Sequence, residues 1–194
     1  MKSHLKKIIF VFFIICFFIS CKTREEADIY IPPKTSVSDK QFNFHVVDDG
    51  IWRSAQPSIE SISVMKKHGL KTVINLRGSE ENHLWESRIC DSLGIQYLHI
   101  PMDGREIPDT ADLNSILRII ENQQNQPVLY HCLGGKDRTG IVTAIYRLKN
   151  SDADFEAVHK EMLMYGYNEE EYPQLSEFAK YWREKYLQNP VKGK

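Results

Sequence analysis

The residues best suited to chemistry lie together in His131-Cys132-Leu133-Gly134-Gly135-Lys136-Asp137-Arg138-Thr139-Gly140. A short apolar strand, Pro127–Tyr130, runs into this segment and a helix, Thr139–Leu148, leaves it. A loop passing from a strand into a helix N-terminus can aim successive backbone N–H groups into one concavity. Gly134 and Gly135 let the backbone curl with no Cβ in the way. The product is an anion cradle of phosphate size, built from Leu133, Gly134, Gly135, Lys136, Asp137 and Arg138. Cys132 sits at its base, where positive potential favours thiolate over thiol. The planar fork of Arg138 can grip two phosphate oxygens, and a lysine there would lose the fork. Thr139 places a hydroxyl where it can bond the sulfur. His131 reads as an orienting residue that bonds backbone. An inert core cysteine has no need of Gly-Gly, Arg and Thr at these offsets.

The Cys-x5-Arg spacing, with His131 before it and Thr139-Gly140 after it, resembles the signature of the protein tyrosine phosphatase superfamily. The run Gly135-Lys136-Asp137-Arg138-Thr139-Gly140 is similar to small bacterial and atypical dual-specificity phosphatases, some of which act on phosphoinositides or inositol phosphates. Trp52-Arg53-Ser54-Ala55-Gln56-Pro57 and Thr72–Arg77 look like the N-terminal half of that group, so the resemblance covers Asn43 to Tyr186. Gly134 stands where the family often carries Ala, a change that adds flexibility.

The resemblance implies a two-step reaction without metal or cofactor. Cys132 attacks phosphorus and forms a cysteinyl-phosphate, which water then hydrolyses. It also implies a general acid, an Asp on a separate upstream loop. Here that loop is Pro101–Asp109, and Asp103, 29 residues before Cys132, is the expected acid. Asp109 directly precedes Thr110 at a helix start and reads as an N-cap. Asp137, on the cradle loop itself, is the other contender. Arg53, Arg77 and Arg105 are candidates for a rim that meets further phosphates, Arg105 foremost because it neighbours Asp103. Lys136 and Asp137 either touch substrate or pair on the rim.

These groups need a frame. Phe44–Val47 and Ile51–Arg53 flank Asp48-Asp49-Gly50, a hairpin signal. Helical spacing is predicted over Ile59–His68, Glu80–Leu93, Leu113–Glu121, Ser151–Leu163 and Pro173–Tyr186. Short strands are predicted at Thr72–Leu76 and Ile95–Ile100. Strands alternating with helices imply an α/β fold, a central and mostly parallel sheet flanked by helices, as in dual-specificity phosphatases. Ligands in such sheets sit at the carboxyl ends of the strands, and the strand before His131 ends there.

The ends of the chain read differently. Lys2, Lys6 and Lys7 precede an unbroken apolar run, Ile8–Ile19, and then Ser20-Cys21. Twelve residues are short of the roughly 20 that a spanning helix needs. A charged start, a short apolar core and a small residue at a break are the parts of a signal peptide. Phe18-Ile19-Ser20-Cys21 resembles a bacterial lipobox, which implies lipidation at Cys21 and an extracytoplasmic, membrane-anchored chain. The expected division is a signal peptide over 1–20, a linker over 21–41, a phosphatase domain over 42–188 and a tail over 189–194. If residues 1–20 are removed, 22 basic and 26 acidic side chains remain, a net of −4. That surface would hold a membrane through the lipid and not through a basic patch.

The 194 residues carry 25 Lys+Arg against 26 Asp+Glu, so no basic face speaks for nucleic acid as a partner. Four Cys are too few for a disulfide scaffold. Cys90 reads as a buried small hydrophobe. After lipidation of Cys21 it is the thiol left to pair with Cys132. The histidines, among them His45, His68, His83, His99 and His159, show no metal-ligand spacing. Oligomeric state is not set by the sequence. The expected substrate is a phosphorylated protein or a small-molecule phosphate ester, with phosphotyrosine, phosphoserine and phosphothreonine leading and inositol phosphates or phosphoinositides as the rival. A catalytically silent phospho-ligand module would not need Cys132, Arg138, Thr139 and an acid together. A sulfurtransferase of rhodanese type also has a cradle cysteine, but the loop spacing and the Arg-Thr-Gly exit do not fit it.

Overall fold

At Asp49-Gly50 the chain reverses, and Gly50 takes the left-handed φ of +70° that such a tight turn favours. The turn joins β1 (His45–Asp48) to β2 (Ile51–Ser54) as an antiparallel pair with an irregularity between Val46 and Asp48. In the computed structural model, residues 42–78 and 83–187 are described, with side chains to residue 183. The expected signal peptide, linker and tail, and Cys21, lie outside those residues.

Three further strands follow, β3 (Thr72–Asn75), β4 (Gln96–His99) and β5 (Val128–His131). The sheet order is β1-β2-β5-β3-β4, and every pairing except β1 with β2 is parallel. The expected α/β sheet is therefore present. β5 is its centre, with all four residues buried. His131 lies opposite Ser54 on β2 and Asn75 on β3, so three strands end level with one another just where Cys132 begins.

Among the described residues six α-helices cover the sheet: α1 (Ile59–Lys67), α2 (Leu84–Ser92), α3 (Thr110–Glu121), α4 (Asp137–Asn150), α5 (Phe155–Met164) and α6 (Pro173–Leu187). Alternation along β5 sends Val128 and Tyr130 to one face and Leu129 to the other. On the first face Tyr130 and Ile74 pack with residues of α3 to α6, including Ile116, Ile145, Val158 and Trp182. On the second face Leu129 and Val73 pack with Ile62 and Met65 of α1 and Cys90 of α2.

Side-chain caps explain the starts of α1, α3 and α5. Ser58 accepts from Ser61 N at the head of α1, and Asp109 accepts from Ala111 N (2.8 Å) and Asp112 N (3.0 Å) at the head of α3. Asp109 is thus an N-cap, as its sequence position suggests. Two differences from the sequence reading have local causes. The helix expected from Ser151 begins at Phe155 because Asp154 caps it, its Oδ1 accepting from Ala157 N at 2.8 Å. α4 begins at Asp137 and not at Thr139, which places Arg138 and Thr139 inside its first turn.

Candidate active site

β5 delivers the chain into Cys132, and α4 takes it away at Asp137, so residues 132–136 form a short arch over the sheet edge. The carbonyls of this arch point away from its concave side and are held there by donors from elsewhere. Leu133 O accepts from Gln56 N at 3.1 Å. Gly135 O accepts from Arg53 Nη2 at 2.6 Å and from Asn43 Nδ2 at 2.9 Å, and Gly134 O lies 3.3 Å from the same Asn43 nitrogen. In a trans peptide unit the C=O and the following N–H point in opposite directions. Fixing these carbonyls outward therefore fixes the N–H groups of Gly134, Gly135 and Lys136 inward, which is the arrangement an anion requires.

Gly135 is irreplaceable here for two reasons. Its φ is +63°, and a Cβ on it would stand 2.5 Å from Ala55 N and 2.6 Å from Ser54 C. The neighbouring atoms are backbone and cannot step aside. Gly135→Ala is expected to lose at least about 2 kcal/mol through overpacking and backbone strain, which lowers Tm by roughly 5 °C or more in a domain of this size. Thermal unfolding monitored by circular dichroism checks this, and an unchanged Tm would contradict the close approach.

Arg53 is fully buried beneath the arch. Besides Gly135 O it reaches Thr143 Oγ1 at 2.9 Å, and its guanidinium lies 4.8 Å from the ring centre of Tyr165. The Thr143 hydroxyl donates its one hydrogen to Thr139 O at 2.8 Å, so in its 2.7 Å contact with Tyr130 the phenol is the donor. Burial pushes the Tyr130 phenol up to about 12, which keeps it a neutral donor. The expectation that Arg53 stands on the rim is overturned. Its β2 position faces the core, and the arch lies on top of it. Arg77 is likewise turned in, 8% exposed, with Nη1 donating to Gln56 Oε1 at 2.9 Å. Arg105 alone of the three stays exposed.

His131 is buried, with Nδ1 3.3 Å from Cys132 O and Nε2 3.0 Å from Glu86 Oε1. The second contact has ion-pair distance without hydrogen-bond alignment. Glu86 is itself fully buried and accepts from Gln56 Nε2 (3.0 Å), Asn75 Nδ2 (2.8 Å) and Tyr97 OH (3.3 Å). Burial, then the Glu86 charge, pushes the Cys90 thiol up to about 12, so Cys90 is the inert hydrophobe it was expected to be. Cys90 packs on one face of the sheet and Cys132 on the other, which removes the Cys90–Cys132 disulfide as an option. Glu86 escaped the sequence reading. Its signal was an acid at i, i+4 spacing from Cys90 on the apolar face of a helix.

Cys132 is 3% exposed, at the floor of the arch. The Thr139 hydroxyl is buried and has no hydrogen-bond partner among the described residues, so the expected bond to the sulfur is not made in this state. Lys136 lays its stem along Gly134 and Gly166, and Asp137 Oδ1 accepts from Asn168 N at 2.9 Å. Asp137 is thereby tied to the segment between α5 and α6.

The Pro101–Asp109 loop reaches the arch through Arg138. Arg138 Nη1 lies 3.4 Å from Met102 O, and its stem runs beside Gly104. Asp103 is held by Arg105, from N to Oδ1 at 2.9 Å, Nε to Oδ1 at 3.3 Å and Nη2 to Oδ2 at 3.2 Å. These bonds, with the charges of Arg105 and Arg138, hold its carboxyl below the usual carboxylate range. Gln174 Nε2 donates to Arg105 O at 2.8 Å and pins the loop to α6.

Residues 32–178 match the family model described as DSP-PTPase phosphatase fused to NAD+ kinase. The chain is 26% identical over 148 residues to the dual specificity protein phosphatase TpbA of Pseudomonas aeruginosa, covering 76% of this chain and 65% of that one. It is 29% identical over 133 residues to inositol diphosphatase DSP4 of Arabidopsis thaliana, covering 66% and 62%. Its match thus spans a little under two thirds of the length of these curated relatives. Among solved structures, the core catalytic domain of the PP-IP phosphatase SIW14 from S. cerevisiae, in complex with citrate, superposes with a TM-score of 0.61 at 28% identity, over 77% of this chain and 88% of that one. A cysteine-to-serine variant of P. aeruginosa TpbA in complex with pTyr gives 0.61 at 25% identity, over 73% and 85%.

Proposed function

The chain belongs to the family of DSP-PTPase phosphatases described with NAD+ kinase, and on that footing we propose that it hydrolyses phosphate monoesters of phosphorylated proteins, at tyrosine, serine or threonine. The observation that carries this reading is the arch itself, with carbonyls drawn outward, amides turned inward and Cys132 at its floor.

In the first step the Cys132 sulfur attacks phosphorus and the P–O bond to the substrate breaks. The leaving oxygen takes its electron pair and a proton from Asp103. In the second step the Asp103 carboxylate accepts a proton from water, whose oxygen attacks phosphorus. The S–P bond breaks, inorganic phosphate leaves and the thiolate is restored. Arg138 and the inward amides stabilise the equatorial oxygens in both steps. Asp103, held ionised by Arg105, is in the state the second step starts from. The first step requires it to leave Arg105 and take up a proton.

Inositol phosphates are the second reading, supported by relatives named inositol diphosphatases. Polyphosphorylated rings require several cations around the cradle, and Arg53 and Arg77 are both turned into the protein. That favours the phosphoprotein reading. A turnover panel of phosphopeptides, inositol phosphates and phosphoinositides tests it, with kcat/KM expected to be highest for phosphopeptides. Preference for an inositol polyphosphate by an order of magnitude would reverse the order of the two readings.

We further propose that the protein is tethered outside the cytoplasm by lipid on Cys21. Support comes from the charged start, the Ile8–Ile19 run and Ser20-Cys21. Among the described residues no helix is long and apolar enough to cross a membrane. Cys21→Ser is expected to move the protein from the membrane to the soluble fraction or to block processing. Intact-mass analysis of the parent showing an unprocessed Met1 terminus without acyl groups would refute the tether.

A further inference from the structure

Asn43 lies ahead of β1, far in sequence from any residue with catalytic chemistry, yet its side chain is bound into the arch. Its amide nitrogen has two hydrogens and three carbonyl oxygens within reach: Gly135 O at 2.9 Å, Tyr165 O at 2.9 Å and Gly134 O at 3.3 Å. The opposite end of the amide is also fixed. Asn43 Oδ1 is 2.8 Å from His45 Nε2, and because Oδ1 can only accept, that nitrogen carries the hydrogen. The three carbonyls rule out the flipped amide, in which Oδ1 would face carbonyl oxygens. The His45 ring in turn stacks on Tyr165, with centroids 3.8 Å apart. The residue type suits the backbone as well, since Asn43 has φ +48°, a region that Asn tolerates far better than most side chains.

Arg53 supplies the second donor to Gly135 O, but Arg53 is buried and braces the core through Thr143. Asn43 is only partly buried, so its contribution can be tested with less risk to folding. We infer that Asn43 is a positioning residue for the substrate phosphate, turning the Gly134 and Gly135 carbonyls outward so that the Gly135 and Lys136 amides face the bound oxyanion. This inference rests on the phosphate-ester reading above. It adds that oxyanion affinity depends on a side chain outside the cradle segment.

The decisive variant is Asn43→Asp, of nearly equal shape and similar tolerance of positive φ. It replaces the donor with an acceptor facing carbonyl oxygens. Asn43→Gly is its companion, keeping the left-handed backbone and removing the amide. Inhibition constants for inorganic phosphate and tungstate, and KM and kcat for an aryl phosphate, are measured on both, with thermal unfolding alongside. Asn43→Asp is expected to raise both inhibition constants and KM by about tenfold or more, the scale of a lost, partly buried hydrogen bond with repulsion added, while kcat changes less. Asn43→Gly is expected to move the same constants in the same direction by less. If either variant folds and binds phosphate within twofold of the parent, whatever its Tm, the role is structural and the inference fails. If the parent itself neither binds phosphate nor turns over an aryl phosphate, it is the phosphatase reading that fails.

Discussion

Cys132→Ser is expected to abolish turnover, by at least about 10⁴-fold, while inorganic phosphate still binds with near-parental affinity. The hydroxyl of serine is a far weaker nucleophile than a thiolate unless an adjacent base deprotonates it. Binding survives because the arch does not depend on sulfur. Its carbonyls are held by Gln56, Asn43 and Arg53, and none of these bonds involves residue 132. The volume change at a floor position that is 3% exposed is also small. Titration calorimetry with phosphate, beside an aryl phosphate assay, separates the two effects. Serine turnover within tenfold of the parent would remove Cys132 as nucleophile. Loss of phosphate binding together with turnover would mean that the sulfur shapes the arch after all.

Asp103→Asn should produce the second-largest effect, and one that depends on the leaving group. Proton donation is worth roughly 10²–10⁴-fold. An alkoxide needs that proton, whereas an activated aryl oxide leaves almost unaided. Turnover of phosphoserine peptides should therefore fall by orders of magnitude, and that of p-nitrophenyl phosphate much less. The pH dependence follows from the Arg105 contacts. The hydrogen bonds from Arg105 favour the ionised carboxylate and lower its pKa. The fraction protonated in the free enzyme thus falls as pH rises through that lowered value. kcat/KM for an alkyl phosphate should accordingly decline on the basic side of an acidic optimum. Arg105→Gln releases the carboxyl toward its ordinary value and should move that decline to higher pH. Asp103→Asn should erase it. Asp137→Asn, whose carboxylate is engaged by Asn168 N, should leave the leaving-group dependence as it was. If Asp137→Asn removes that dependence and Asp103→Asn does not, the acid sits on the cradle loop.

Much of this site was legible because its parts are contiguous. The segment from His131 to Gly140 carries the cysteine, glycines, guanidinium and helix start within ten residues, and strand-before, helix-after follows from local apolar pattern. The parallel sheet was legible from alternation of short strands and helices. What stayed hidden comes from across the fold. Arg53 read as a rim cation because a lone Arg on a strand gives no sign of which face it takes; register against β5 puts it under Gly135. Glu86 is a charged residue on the buried side of α2, and only its assembled partners, Asn75, Gln56, Tyr97 and His131, make it tolerable there. Asp109 was readable as a cap since capping is local, within three residues. Asp103 was singled out as the candidate acid by position alone, and its engagement with Arg105 was hidden because it depends on how a loop folds on itself.

The bonds from Asn43 also set an order of events. They join residue 43 to residues 134, 135 and 165, spans of 91, 92 and 122 positions along the chain. During synthesis the N-terminal partner leaves the ribosome long before the last of the others exists. Contacts of such separation form late, after shorter-range structure has paid most of the loop-closure entropy. A nascent chain that stops short of Tyr165 therefore holds Cys132 and the arch before Asn43 has all three of its carbonyl partners. On the positioning role inferred for Asn43, full affinity for an oxyanion is therefore expected only once segments 122 positions apart have met.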